Sequence, residues 1–249
     1  MAFTKAPLRT LAFAAPLALV LAACNGSEEG GAQEGDPIEA IPAPDGASWL
    51  DTVTVSEDGE GYILGNPDAP LKLAEYASHT CSACANFAQT GKEPLKKYVE
   101  TGVVSFEQRE VFLNTFDVVI ATIVQCGEPG QVQALSDEMW QNFQPVMTNI
   151  QGNQEGVNAA SQLPPEQRFA ALGDATGLID FFAARGISAD QARTCLNDFD
   201  KIEALTKSVG DKATEAGVTG TPTFTLNGRT LEERGWADLE VVLQKAGAR

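Results

Sequence analysis

The stretch EYASHTCSAC, Glu75 to Cys84, sets two cysteines one helical turn apart, with the chain's single histidine, His79, two residues before the first. Just upstream, LKLAEYA (71–77) alternates Leu71, Leu73, Glu75 and Ala77 on one side of a strand, which puts an acid, Glu75, on a face expected to be buried. A helix is expected to start around Cys81 and run toward Val99, with a kink before Pro94. With Cys81 at the first helical position, free backbone N–H groups and the helix dipole favour its thiolate. Cys84 then lies one turn further in, on the same face and deeper. That asymmetry suits disulfide exchange, in which one thiolate attacks and the second resolves the mixed disulfide. The motif alone also suits a small structural disulfide, or part of a zinc or copper site in which His79 joins Cys81 and Cys84.

The compartment bears on that choice. The chain has 249 residues, 43% of them apolar, enough for one large domain or two modest ones with a sizeable core. Its net charge of −17 argues against nucleic acid or anionic lipid as the main partner. Lys5 and Arg9 precede an uncharged apolar run, Leu11 to Ala23, which is short for a bilayer span and suits an export signal over residues 1–23. The run ends in Leu21-Ala22-Ala23-Cys24, which resembles the lipobox of bacterial lipoproteins. That resemblance implies cleavage before Cys24 and a lipid on its sulfur. Residues 25–46 hold six acids, no base, five glycines and three prolines, so residues 24–48 are expected to form a flexible, lipid-anchored tether.

With Cys24 set aside, the other four of the five cysteines divide into two pairs. An exported chain meets an oxidising compartment, where paired cysteines form disulfides. Cys126 and Cys195 each lack a C-x-x-C partner and are expected to form a structural bridge.

Strands are expected at Thr52–Val55, Tyr62–Leu64 and Val103–Phe112. From residue 114 to about 210 the pattern turns helical, with further helices over 130–144, 165–184 and 188–215. GVTGTPTFTLNG (217–228) reads as turn, strand, turn, followed by a short strand at 229–231 and a last helix from Trp236. The fold class is therefore α/β, with a helical block between two strand-containing parts.

A strand leading into the C-x-x-C, an acid six residues before Cys81 and a Thr-Pro ahead of a late strand together resemble the DsbA-like thiol:disulfide oxidoreductases. The resemblance implies a thioredoxin fold with an inserted all-helical domain. Residues 49–113 and 211–249 would form the thioredoxin-like domain and 114–210 the insertion. It also implies the roles: Cys81 the nucleophile, Cys84 the resolving cysteine, and Glu75 the buried acid assisting proton transfer at Cys84. Thr221 and Pro222 would bind substrate backbone, with a cis bond between them that faces Cys81. No cofactor is expected. The implied partners are cysteine-containing exported proteins and a membrane redox partner that recycles the pair. The location is periplasmic or otherwise extracytoplasmic. The tether leaves no room for an N-terminal dimerisation module, so a monomer is expected. One departure is Ser82-Ala83 between the cysteines, where strongly oxidising members carry Pro-His, so a milder poise is expected. Threonine before the proline also occurs in the isomerase branch, so an oxidase is favoured while a reductase or isomerase stays open.

Overall fold

The computed structural model describes residues 1–2 and 35–249. Strands β1 (Val53–Val55), β2 (Gly61–Leu64) and β3 (Leu71–Ala77) lead into helices α1 (Ser82–Thr90) and α2 (Lys92–Glu100) and then β4 (Val104–Glu110). The helical insertion follows: α3 (Thr115–Val124), α4 (Val132–Gln141), α5 (Phe143–Gly152), α6 (Gln154–Ser161), α7 (Pro165–Ala175), α8 (Leu178–Ala183), α9 (Ala189–Leu196) and α10 (Phe199–Glu215). Strands β5 (Thr223–Leu226) and β6 (Arg229–Thr230) and helix α11 (Trp236–Lys245) complete the chain. The strands lie in the order β1-β2-β4-β3-β5-β6; β3 and β4 are parallel, and every other pairing is antiparallel.

β3 sits inside the sheet, and only Lys72 of its seven residues is exposed. Covered strands read as near-continuous apolar runs, which makes Glu75 the exception in this one. Leu73, Phe106 and Phe224 from the sheet pack with Phe87, Leu95 and Val99 of α1 and α2 and with Leu239 and Leu243 of α11. The insertion has its own core, built on Ile120, Ile123, Met139, Leu178, Phe182 and Leu196. A small third cluster joins Ala77, Cys84, Ala85 and Ala88 to Trp140 and Phe143, and the C-x-x-C lies at this seam.

Several boundaries differ from the sequence expectation. The first helix breaks at Gly91 rather than kinking before Pro94, and only glycine fits there, because a Cβ at 91 would come within 2.6 Å of the Phe87 ring and 3.0 Å of Trp236. Pro94 then falls in the first turn of α2, where its missing N–H has no partner to lose. The helix expected over 165–184 divides at Gly177, whose φ is 72°, and the one over 188–215 divides at Asp198, which caps α10. Helices α5 and α6 occupy a polar stretch in which no helix was expected over most of the length.

The expected signal, beyond its first two residues, and Cys24 lie outside the described residues. Of the expected tether, the part from Gly35 on is bound to the fold rather than free. The N–H groups of Gly35, Ile38 and Ile41 donate to the carbonyls of Lys245, Gly247 and Thr101. Trp49 Nε1 donates in turn to the Ile41 carbonyl at 2.7 Å. The apolar residues Ile38 and Ile41, interleaved with the acids and prolines, make that contact available.

Cys126, just beyond α3, is joined to Cys195 of α9, with 6.1 Å between the Cα atoms and a sequence separation of 69. Such a bridge restricts the unfolded chain. The Cys126→Ala/Cys195→Ala double variant is expected to lose up to about 4 kcal/mol and to melt roughly 10 °C lower, read by calorimetry. An unchanged melt would show that the bridge carries no stability.

Candidate active site

The central strand delivers the chain to the site. β3 ends at Ala77, three residues turn the chain, and Cys81 becomes the N-cap of α1 with φ −86° and ψ 121°. Its sulfur stands where a serine or aspartate oxygen would stand in an ordinary cap, and it accepts the Cys84 N–H at 3.4 Å. The expectation had Cys81 one residue further along, inside the helix. As the cap it meets the same free N–H groups more directly. On its other side the Cys81 sulfur lies 3.4 Å from the Thr221 carbonyl oxygen, and the Thr221–Pro222 bond is cis. The two motifs, 140 residues apart in sequence, are thus brought face to face.

Both cysteines of the pair are free thiols, and their surroundings differ sharply. Cys81 is partly exposed, and its pKa is lowered from 9.0 to about 5. The Cys84 thiol donating to it is the largest cause; the Thr221 side chain and the N–H groups of Cys84 and Ala83 add to this, and burial opposes it. Cys84 is fully buried, and its thiol is pushed far up by that same hydrogen bond, by burial and by the charge of Glu75. The pair has one ready thiolate and one retained proton.

Glu75 is fully buried, and neither carboxyl oxygen has a hydrogen-bond partner. Burial raises its pKa from 4.5 to about 8, against the pull of Lys92. At neutral pH it is therefore mostly protonated, a neutral acid close enough to Cys84 and Cys81 to feel their charge. Beside it, Lys92 Nζ donates to Gln108 Oε1 at 3.2 Å and to Asp137 Oδ1 at 2.5 Å, and lies 4.3 Å from the centre of the Trp140 ring. Gln108 is the register partner of Glu75 on β4 and donates onward to Ser136 Oγ at 2.8 Å.

His79 does not join the cysteines. It is fully buried and stacked on Trp140 at 5.0 Å, with Nε2 3.0 Å from Ser136 Oγ. Its Nδ1 lies 3.2 Å from Glu110 Oε2, a close polar contact without the alignment of a hydrogen bond. The ring is committed to the seam with α4, so the three-ligand set of Cys81, Cys84 and His79 does not converge. Among the described residues no group of three or more His, Cys, Asp or Glu side chains is placed to hold a metal ion.

Residues of the site outside the sequence reading include Asp117, which grips the loop before Cys81, Lys92 (with its partners Gln108 and Asp137), Ser136, Trp140 and Arg234. Arg234 donates to the Pro222 carbonyl and, at 2.7 Å, to Thr223 Oγ1. Only Asp117 left a local signal, since Asn114 and Asp117 have capping-box spacing at the start of α3.

Comparison with known proteins agrees with this geometry. A thioredoxin family model matches residues 57–245. A Rickettsia bellii protein provisionally named protein-disulfide oxidoreductase is 24% identical over 78% of this chain and 67% of its own. A Rickettsia typhi protein of the same provisional name is 27% identical over 72% of this chain and 59% of its own, so the chain spans about three fifths of that relative. Among solved structures, a protein-disulfide isomerase from Novosphingobium aromaticivorans superposes with a TM-score of 0.68 at 25% identity, covering 74% of this chain and 95% of that one. The fold is also shared with alpha-DsbA1 of Wolbachia pipientis, with a TM-score of 0.58 at 19% identity over 80% of this chain and 95% of that one. With the family model covering well over half of its length, the chain belongs to the thioredoxin family and carries the helical insertion of its DsbA-like members.

Proposed function

We propose that this chain is an extracytoplasmic thiol:disulfide oxidoreductase that passes a Cys81–Cys84 disulfide to cysteines of exported proteins, chiefly as an oxidase. The observation that carries this is the asymmetry of the pair: a partly exposed Cys81 whose thiolate is stabilised, over a buried Cys84 that keeps its proton. A client thiolate attacks the Cys81 sulfur of the disulfide, and the bond to Cys84 breaks. Cys84 leaves as a thiolate and takes a proton, for which the neutral carboxyl of Glu75 is the buried source. The client's second thiolate then attacks the client sulfur of the mixed disulfide and releases Cys81 as a thiolate. Two electrons pass from client to pair; of the client's two protons, one restores the neutral Glu75 in place of the proton given to Cys84 and one goes to solvent. A thiolate this well stabilised favours the reduced pair and so makes the disulfide an oxidant.

Thr221 and Pro222 are the proposed substrate-backbone contacts, because the Thr221 carbonyl faces Cys81. Pro222 has no N–H to donate, which leaves that face free of a competing donor. The lipobox-like Leu21-Ala22-Ala23-Cys24 supports anchoring through a lipid on Cys24, and no helix among the described residues is long and apolar enough to cross a membrane. The working form proposed is a monomer of the thioredoxin-like domain (49–113 and 211–249) and its insertion (114–210). The likeness to a protein named as a disulfide isomerase favours the second reading, isomerase or reductase. The resting state of Cys81–Cys84 in cells separates the two: mostly oxidised supports the oxidase, mostly reduced the alternative.

Cys84→Ser should accumulate mixed disulfides with clients on non-reducing gels while Cys81→Ser traps few; equal trapping would overturn the order of attack. In the reduced protein, alkylation of Cys81 should lose rate only as pH falls through about 5, with Cys84 unreactive to pH 8. A midpoint near the ordinary thiol value would remove the basis for the oxidase reading. Cys24→Ser should release the protein from the membrane fraction or block its processing; a wild-type protein found wholly soluble would refute the anchor.

A further inference from the structure

Only three residues separate β3 from Cys81, and the insertion holds each of them. The Ser78 carbonyl accepts Trp140 Nε1 at 3.2 Å, and His79 is fixed by Ser136 and Trp140. The strongest grip comes from Asp117, a fully buried residue in the first turn of α3. Its Oδ1 accepts Ser78 Oγ at 2.7 Å and the Thr80 N–H at 2.9 Å. Its Oδ2 accepts Thr80 Oγ1 at 3.0 Å and the N–H groups of Leu113 and Asn114 at 2.9 and 3.2 Å. Asn114 Nδ2 adds a further bond to Thr80 Oγ1 at 2.7 Å.

Capping explains only part of this. An acid at the third helical position serves its own helix by accepting N–H groups near the N-terminus, which accounts for Leu113 and Asn114. The three bonds to Ser78 and Thr80 reach back 37 to 39 residues and do nothing for α3. With the two cap bonds they bring the carboxyl to five accepted hydrogen bonds, which fills its acceptor capacity of about four lone-pair sites. What they fix is the peptide unit just before the nucleophile. Thr80 is held by both its N–H and its hydroxyl, and the next residue is Cys81, whose own N–H returns to the Ser78 carbonyl at 3.3 Å.

We infer that Asp117 is a positioning residue for the redox pair: through Ser78 and Thr80 it sets the place of the Cys81 sulfur between the Cys84 N–H and the Thr221 carbonyl. The inference rests on Cys81 being the nucleophile. It differs in sign from a role for the charge itself. The Asp117 carboxylate has the same sign as the thiolate, so removing the charge alone would make the thiolate easier to form. Losing the position makes it harder, because the stabilising N–H contacts weaken steeply with misalignment.

The test uses the purified reduced protein, with the Cys81 thiolate read by ultraviolet absorbance against pH, and its equilibrium with the glutathione couple. Asp117→Asn keeps the shape but offers one acceptor oxygen and turns an NH₂ toward donors. Its thiolate midpoint should rise by about one pH unit, and its disulfide should become about tenfold less oxidising. Asp117→Glu keeps the charge but moves the oxygens by a methylene, and should shift the midpoint the same way. Thr80→Val removes only the hydroxyl bonds; it should fold and give a smaller rise, which keeps the inference testable if either Asp117 variant does not fold. Wild-type midpoints in the folded variants would overturn the inference, even with a lower melting temperature. A lowered midpoint in Asp117→Asn with an unchanged one in Asp117→Glu would assign the effect to charge and overturn it equally. A wild-type protein without a depressed Cys81 midpoint would instead sink the functional reading beneath it.

Discussion

One atom serves two needs here. A helix N-terminus leaves backbone N–H groups that require an acceptor, and the residue supplying it in α1 is Cys81. Sulfur is a poor acceptor as a thiol and a good one as a thiolate, so capping the helix and stabilising the Cys81 thiolate are the same interaction. Its counterpart one turn later is carried by the helix into the apolar cluster of Ala85, Ala88, Trp140 and Phe143, where a charge on Cys84 would be costly. The division of labour in the pair thus follows from where one helix starts and which way it faces.

Glu75 has to be understood within the same frame. An unpaired carboxyl inside a covered strand is destabilising unless it stays neutral, and the structure keeps it so by burial. Lys92, the nearest opposing charge, is itself committed to Gln108 and Asp137. The acid is therefore left with an available proton instead of a salt-bridge partner. Such an arrangement fits the role proposed for Glu75 at the buried Cys84 thiol.

Much of this was legible in the sequence, because it depends on local pattern. Alternation in residues 71–77 marks the strand, the cysteine spacing marks one helical turn, and Thr221-Pro222 opens a strand that could only return to the motif by folding. The parity of cysteines pairs Cys126 with Cys195. What stayed hidden depends on contacts distant in sequence. Nothing around Asp117 reveals that its carboxyl reaches Thr80, and nothing around His79 reveals that α4 covers it. The glycine between α1 and α2 escaped for a related reason: a side chain at Gly91 would collide with the Phe87 ring and with Trp236, and Trp236 lies on another helix.

The positions of Cys81 and Glu75 also couple the redox state of the pair to how stability varies with pH. In the reduced protein Cys81 is a thiolate from about pH 5 upward, whereas the unfolded thiol keeps its proton to about 9. The unfolded state binds more protons across that window, so this group makes stability rise with pH and the gain is lost as pH falls through 5. Glu75 acts in the opposite sense: between 4.5 and about 8 the folded state holds a proton that the unfolded chain has released, so stability falls as pH rises. With the pair reduced, the two trends largely offset one another around neutrality. With the pair oxidised, Cys81 no longer titrates and only the falling trend remains. Oxidation therefore leaves the fold carrying a buried acid with no compensating thiolate, a difference that favours the reduced protein as pH rises.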